Sequence, residues 1–363
     1  MNEKIVVLPE QLHSPTPGGI GVFTAETLKR MVAEVGEFGA EIALYGSRSS
    51  GAYDRFCDFG VPVTFSRLNH RLLLMAWARG LASEGSGYHA SVSFSMAAPL
   101  TKAVPRRIVT IYDLAFRSVP GSFTRHGVRW HEARLKAILD SAADVITISE
   151  QSRAQLLEAG FSADRIVLAL PGSDHLPNVD SLGTELLLGK LGVRSDFLLT
   201  VGTLEPRKNL ARVIEAVQLC RSELRSEYPL LVVGPQGWGH AAQGATGVHF
   251  LGYLDDAILA GLYARAAALV YAPLFEGFGL PPIEAMASCT PVVASLLPST
   301  SSQFCEIVDP YSVLDIARGI SDVLSDDRRK SRLVREGLLH VSTMHWNDTA
   351  RKILAAASLG TVR

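Results

Sequence analysis

Short apolar runs recur along this chain, separated by stretches of helical period, and that alternation limits the fold more than any other feature. The runs cover residues 5–8, 42–45, 92–94, 108–111, 145–148, 197–201, 230–233, 268–272 and 291–294. They are β-branched or leucine-rich, and between them apolar side chains return every three or four positions. A strand covered by helices on both faces is apolar throughout, whereas a strand with one wet face alternates. These runs do not alternate, so the sequence predicts an α/β protein built on parallel sheet. In such sheets ligands sit beyond the carboxyl ends of the strands, which is where functional residues are expected.

Residues 171–192 interrupt the alternation with Pro171, Gly172, Asp174, Pro177, Asn178 and Gly183 before the apolar runs resume at Phe197. The stretch reads as a connection between domains, with a boundary near residue 180. It divides the 363 residues into two halves of doubly wound size, and the cleft between such halves is a favoured ligand site.

Composition removes several classes. With 35 Lys+Arg against 36 Asp+Glu the net charge is −1, so long-range attraction to nucleic acid is absent and no nucleic-acid partner is expected. Cys57, Cys220, Cys289 and Cys305 share no C-x-x-C spacing, which fits reduced thiols and no disulfide framework or metal cluster. The first residues hold no signal-peptide pattern, and no apolar run reaches the roughly 18 residues of a membrane span, so a soluble, cytoplasmic protein is expected. One stretch qualifies this. Residues 67–81 combine Arg67, His70, Arg71 and Arg79 with Leu72, Leu73, Leu74, Met75 and Trp77. That composition suits an interfacial helix meeting anionic lipid at the inner face of the membrane, and equally a core helix with a basic outer side.

Four constellations carry chemistry. His13, Ser14, Pro15, Thr16, Pro17, Gly18, Gly19, Ile20 and Gly21 follow the first strand and open a helical pattern. Glycines there bring backbone close to a ligand, so the segment reads as a substrate-facing loop or as a plain connection. It is not a dinucleotide fingerprint, because G-x-G-x-x-G would need glycine where Thr24 stands. Next, Val201 to Asn209 place Thr203, Arg207 and Lys208 between a buried strand and a helix. Two cations beside a helix N-terminus suit a phosphate group, since without an anion they are disfavoured at that dipole end.

The third constellation runs from Phe275 to Ala287, with Glu276 and Glu284 on either side of a glycine-rich turn entering a helix. Pro281 and Pro282 fix the helix start, so Gly277 to Leu280 offer backbone N–H groups and Glu284 is expected in the first turn. Glu276 can accept hydrogen bonds from sugar hydroxyls and Glu284 two from a ribose diol; the plain alternative is a surface glutamate and a first-turn glutamate. Fourth, Asp113 follows a strand in Ile111, Tyr112, Asp113, Leu114, either as a carboxylate orienting a hydroxyl or as a turn residue.

Together these elements resemble the retaining nucleotide-sugar glycosyltransferases of family 4, whose GT-B fold has two Rossmann-like doubly wound domains facing across a cleft. Gly18–Gly21 is similar to the family's N-terminal loop, 201–209 to its phosphate loop, Glu276 to Glu284 to its E-x7-E signature, and 148–153 to its serine-containing strand end. The ending around Trp346 is similar to the segment that returns the last helix to the first domain. The resemblance therefore implies an acceptor-side domain of residues 1–178 plus 345–363 and a donor-binding domain of 179–344.

Carried onto this chain, the resemblance implies that Arg207 and Lys208 neutralise the departing diphosphate, Glu276 contacts the transferred sugar and Glu284 holds the ribose. Gly19, Gly21, Thr203, Phe278, Gly279 and Leu280 would line the donor site, Asp113 would orient the sugar, and 248–254 would lie near the base. Two departures stand out. Thr203 occupies the place where many members carry arginine, and residues 298–305 lack the usual glutamate and glycine.

The implied reaction is a retaining, metal-independent hexosyl transfer from a nucleotide sugar to a glycan or lipid-linked acceptor, with no cofactor. The stretch from Asp113 to Thr124 is similar to bacterial mannosyltransferases of surface polysaccharide synthesis, which points to GDP-mannose. A UDP-hexose donor, or a sugar-nucleotide-binding subunit without catalysis, are the alternatives.

Overall fold

The structure, a computed structural model, describes residues 3–14, 18–48, 52–194, 196–224, 228–237 and 244–358. Each apolar run overlaps a strand of one of two parallel sheets. The first sheet contains β1 (Glu3–Leu8), β2 (Ala40–Ser47), β3 (Val63–Ser66), β4 (Ala90–Ser93), β5 (Arg106–Thr110), β6 (Asp144–Thr147) and β7 (Ile166–Leu168), in the order β3-β2-β1-β4-β5-β6-β7. The second contains β8 (Leu198–Val201), β9 (Leu230–Val233), β10 (Val248–Gly252), β11 (Ala268–Tyr271), β12 (Val292–Ala294) and β13 (Glu306–Ile307), in the order β10-β9-β8-β11-β12-β13. Both orders reverse direction next to the first strand of their unit, between β1 and β4 and between β8 and β11, the doubly wound arrangement.

The central strands are buried on both faces. Ile5, Val6 and Val7 have no exposure, and neither do Leu230, Leu231, Leu269 and Val270. The second unit's core joins Leu198, Val232 and Val270 to Val213, Val217, Ile316 and Ile320 from the helices Leu210–Leu224 and Val313–Ser325.

The chain divides into two compact units, Met1–Gly172 with His345–Arg363, and Ser173–Met344. The sequence places the first boundary at 178/179. Hydrogen bonds explain the earlier position: Ser173 N donates to Met344 O at 3.0 Å, and Ser173 Oγ to Val341 O at 2.9 Å, so the connection is already tied to the second unit. The supposed connection also contains a helix, Ser181–Leu191. The Asp180 side chain caps it by accepting from Gly183 N, and left-handed Gly192 ends it. Gly183, which reads as a breaker, lies within its first turn.

The last helix, Trp346–Ala357, packs on Gly18–Glu34 of the first unit. Trp346 is wholly buried, its ring edge-on to Phe23 at 5.6 Å between centroids. Thr349 Oγ1 donates to Leu170 O, and Arg351 pairs with Glu34 and Glu37. No described helix is long and apolar enough to cross a membrane. Within residues 67–81 the helix is His70–Ala78; Leu73 and Trp77 face the core while Leu72 and Met75 are half exposed.

Trp346→Ala removes the largest side chain joining the last helix to the first unit. It should lower that unit's unfolding free energy by about 3–5 kcal/mol in a denaturant titration, whereas exposed Leu339→Ala should change stability by less than about 0.5 kcal/mol.

Candidate functional site

The carboxyl end of β8 sets the site's backbone. A Cβ on Gly234, which follows β9 with φ +145°, would fall 2.1 Å from the carbonyl oxygen of Gly202, so only glycine lets the two strand ends approach this closely. Beyond Gly202 the chain passes Thr203, bridges Leu204 to Gln236, and forms a tight turn, Pro206–Lys208. Asn209 closes that turn in the left-handed region at φ +60°. Its amide donates to Ala272 O at 2.9 Å and Pro310 O at 2.7 Å, and Leu274 N donates to Arg207 O at 2.9 Å. These bonds lace the loop after β8 to the loop after β11.

The lacing brings Arg207, Lys208 and Glu276 together. Arg207 Nη1 lies 2.9 Å from Glu276 Oε2 and donates to Phe275 O at 2.8 Å, while its Nη2 is 2.5 Å from Glu205 Oε1. Lys208 Nζ is 2.5 Å from Glu276 Oε1 and 3.1 Å from the Tyr271 hydroxyl, which itself donates to Glu276 Oε1 at 3.0 Å. Two cations thus face two carboxylates in a nearly dry site. Burial alone would raise the Glu276 pKa, but the Lys208 and Arg207 charges and hydrogen bonds outweigh it and hold the carboxyl below its ordinary value. Burial and the Glu276 charge push the Tyr271 hydroxyl well up, so it stays protonated and keeps donating.

The glycine-rich turn leads from this cluster into the helix Leu280–Ala287. Gly279 adopts φ +101°, and a Cβ there would meet Ser299 Oγ at 2.7 Å. Phe278 is buried and its carbonyl accepts from Ser299 N. With left-handed Gly279 as the N-cap, the helix starts at Leu280, one residue before the prolines, so Glu284 is its fifth residue and falls in the second turn rather than the first. Its carboxylate is buried, receiving a 2.6 Å hydrogen bond from the Tyr263 hydroxyl and lying 3.1 Å from His175 Nε2. Burial and the Glu284 charge push the Tyr263 pKa well up. A carboxylate offers about four acceptor positions, so two protein partners leave capacity for a diol.

Thr203, Phe278, Gly279, Leu280 and Glu284 belong to the same unit as the Arg207–Lys208–Glu276 cluster; Gly19, Gly21 and Asp113 belong to the other. Gly19 and Gly21 form the first turn of Gly18–Glu34 instead of a loop, since helical geometry begins immediately at left-handed Gly18. Pro15, Thr16 and Pro17 lie outside the described residues. Asp113 Oδ1 accepts from Ala115 N at 2.9 Å, the geometry of the turn alternative. Glu205, Tyr271, Tyr263 and His175 are the participants that the sequence reading missed. Glu205 sits two residues before Arg207, a usable signal; the others are single residues placed only by the fold. Also missed is a cluster of Glu10, His13 and His70 in the first unit.

With this geometry in place, the relatives decide the family. The family description Glycosyl transferases group 1 matches residues 190–339. The O-antigen chain mannosyltransferase B of Escherichia coli is 31% identical over 274 residues, covering 72% of this chain and 72% of that protein. The chain belongs to the group 1 glycosyltransferases. The serotype-specific mannosyltransferase WbdA of Escherichia coli is 27% identical over 231 residues, 59% of this chain but 28% of that longer protein. Among solved structures, Anabaena HepE in complex with UDP and glucose superposes with a TM-score of 0.70 at 19% identity, over 97% of this chain and 98% of that one. The lipopolysaccharide glycosyltransferase WaaG does so at 0.69 and 16% identity, over 98% and 100%. This glycosyltransferase therefore has the GT-B fold.

Glu276→Gln should destabilise the glycosyltransferase by about 1–3 kcal/mol at pH 7, because two partly buried cations lose their shared carboxylate and only Arg207 keeps another, Glu205. A carboxyl with a lowered folded pKa gives stability that is complete above the unfolded value of 4.5 and lost as pH falls through the folded value. The gap between wild type and variant should therefore narrow below about pH 4.5 in denaturant titrations; a gap constant from pH 7 to pH 3 would refute the pairing.

Proposed function

We propose that this glycosyltransferase moves mannose from GDP-mannose, with retention of configuration and without a metal in the chemical step, to a hydroxyl of a glycan or lipid-linked acceptor in surface polysaccharide synthesis. The observation that carries the reading is the pair Arg207 and Lys208 sharing Glu276 at the carboxyl ends of β8 and β11, beside the glycine-rich turn into Leu280–Ala287. The mannosyl specificity rests on the similarity to the O-antigen mannosyltransferases.

In this reading the diphosphate of the donor draws Arg207 and Lys208 toward itself, which releases Glu276 to accept hydrogen bonds from sugar hydroxyls. Glu284, already oriented by Tyr263 and His175, takes the ribose diol. Gly279 and Leu280 offer backbone N–H groups, Thr203 and Phe278 line the pocket, and Asp113, Gly19 and Gly21 act from the acceptor-side domain. Breaking the glycosyl–phosphate bond builds positive charge on the ring and negative charge on the diphosphate. Fixed cations and helix N-terminal amides stabilise that separation more than the ground state. The acceptor oxygen bonds to the anomeric carbon on the face the phosphate leaves, and its proton passes to a leaving phosphate oxygen. UDP is the second donor base, favoured by the HepE complex with UDP and glucose.

A thermal-shift panel with GDP, UDP, dTDP and ADP tests the donor. A ligand at about 100 times its Kd adds roughly 2.7 kcal/mol to the folded state. GDP is expected to raise the melting temperature of wild type and not of Lys208→Ala, and that variant should lose about 10²–10³-fold in kcat with GDP-mannose. An α-linked product by NMR supports retention. A UDP-only shift moves the donor assignment to UDP-hexoses, and binding without transfer favours the silent subunit.

Leu68, Leu72, Met75 and Leu81 are exposed apolar residues along the segment bearing Arg67, Arg71 and Arg79. We propose that this segment meets an anionic bilayer, placing a lipid-linked acceptor near the enzyme. Retention on anionic vesicles that high salt abolishes is the expected result; no retention at low salt would refute it.

A further inference from the structure

The carboxyl edge of the first sheet holds a group of side chains to which the proposed reaction assigns no role. Glu10 and His13 lie on the short turn Glu10–His13 after β1, Ser47 ends β2, and His70 opens the helix that follows β3. Glu10 Oε2 is 2.7 Å from His70 Nδ1 and 3.3 Å from His13 Nε2, and the three atoms all lie within 4.8 Å of one another. We propose that Glu10, His13 and His70 bind a first-row divalent cation of the zinc class.

The donor set is the first argument. Two imidazole nitrogens and one carboxylate oxygen, with a position left open, form one of the ligand sets that hold Zn²⁺ in tetrahedral geometry. With metal–ligand bonds of about 2.0–2.1 Å, the edge between two ligands is about 3.3 Å. The His13–Glu10 separation already has that length. The His70–Glu10 pair is a direct hydrogen bond that must open by only about 0.6 Å to admit the ion.

Burial is the second. The Glu10 side chain is 2% exposed and His13 5%, while His70 at 34% lies on the solvent side, where a hydrated ion would approach. The other oxygen, Glu10 Oε1, is buried with no hydrogen-bond partner among the described residues. A buried carboxylate with an orphaned oxygen is costly unless a cation compensates it. The space around it is shaped by its neighbours as well. A Cβ on Gly46 would come within 3.0 Å of Glu10 Oε1 and 2.5 Å of the Phe56 ring, so strand β2 needs glycine here to admit the carboxylate.

Surrounding groups are placed to support the ligands. Ser47 Oγ is 3.2 Å from His13 Nε2, a contact to the ligating nitrogen that a bound ion would replace. The Phe56 ring meets His13 edge-on at 5.2 Å and restricts its rotation. Arg55, the neighbouring cation, donates to the Leu12 and Ser14 carbonyls, fixing the turn instead of occupying the carboxylate.

The test needs no sugar donor, so its outcome is independent of the proposed reaction. The full chain is freed of metal with chelator and titrated with Co²⁺ as a visible probe, then with Zn²⁺, with metal content read by mass spectrometry. The expected result is one ion per chain, a d–d absorption band, a Zn²⁺-dependent rise in melting temperature, and loss of all three in His70→Ala. Replacing one of three ligands should weaken binding by more than about 100-fold. Because His70 is partly exposed at a helix start, that variant should keep its circular dichroism; Glu10→Gln, which keeps size and shape, is the second variant. Fewer than about 0.1 ion per chain with no band at millimolar Co²⁺ would overturn the proposal. An undiminished band in folded His70→Ala or Glu10→Gln would overturn it too.

Discussion

One carboxylate holds the second unit's site in readiness. Glu276 accepts from Lys208, Arg207 and Tyr271 at once, and without it the Arg207 guanidinium and the Lys208 ammonium would keep, among the described residues, only Glu205, which pairs with Arg207 alone. The strand ends, the left-handed Asn209 and the glycine approach at Gly202 and Gly234 all serve to bring this pair of cations to that acid. Two cations gathered and partly desolvated at one point are an arrangement that suits a doubly charged phosphate, provided the anion replaces the bonds they make to Glu276. In the reaction proposed above, an incoming diphosphate would exchange one set of charge-assisted bonds for another and leave the displaced acid beside the site with its acceptor capacity restored.

How much of this the sequence discloses follows from burial. The inner strands β1, β4, β5, β6, β8, β9, β11 and β12 are mostly buried and announce themselves as apolar runs, as does β2, although its burial alternates. The four strands without such a run, β3, β7, β10 and β13, are all at sheet edges. Their burial is partial, as in Val63–Ser66 and Val248–Gly252, so composition there resembles loop. The helix Ser181–Leu191 was concealed differently: Asp180 and Gly183 read as turn residues, and only their capping geometry shows them starting a helix.

The site divides along similar lines. Arg207 with Lys208, and Glu276 with Glu284, lie in short segments whose chemistry is visible in sequence because each segment is one strand-end loop. Their partners Tyr271, Tyr263 and His175 are isolated residues, and no spacing connects His175 to Glu284 across more than a hundred positions. A separation of 60 positions likewise hides His70 from Glu10. Expecting Glu284 in a first turn went astray by a single residue, since the helix begins at Leu280 after the left-handed Gly279 and not at the first proline.

The return of the final helix to the first unit bears on the order of synthesis. The second unit is one continuous stretch, Ser173–Met344, and every residue of it has been made before Trp346 is added. The first unit is interrupted by that stretch, and the Phe23 side of its early helix has no indole to cover it until all of the second unit has been made. On the ribosome the second unit therefore has its full set of core residues before the first unit does.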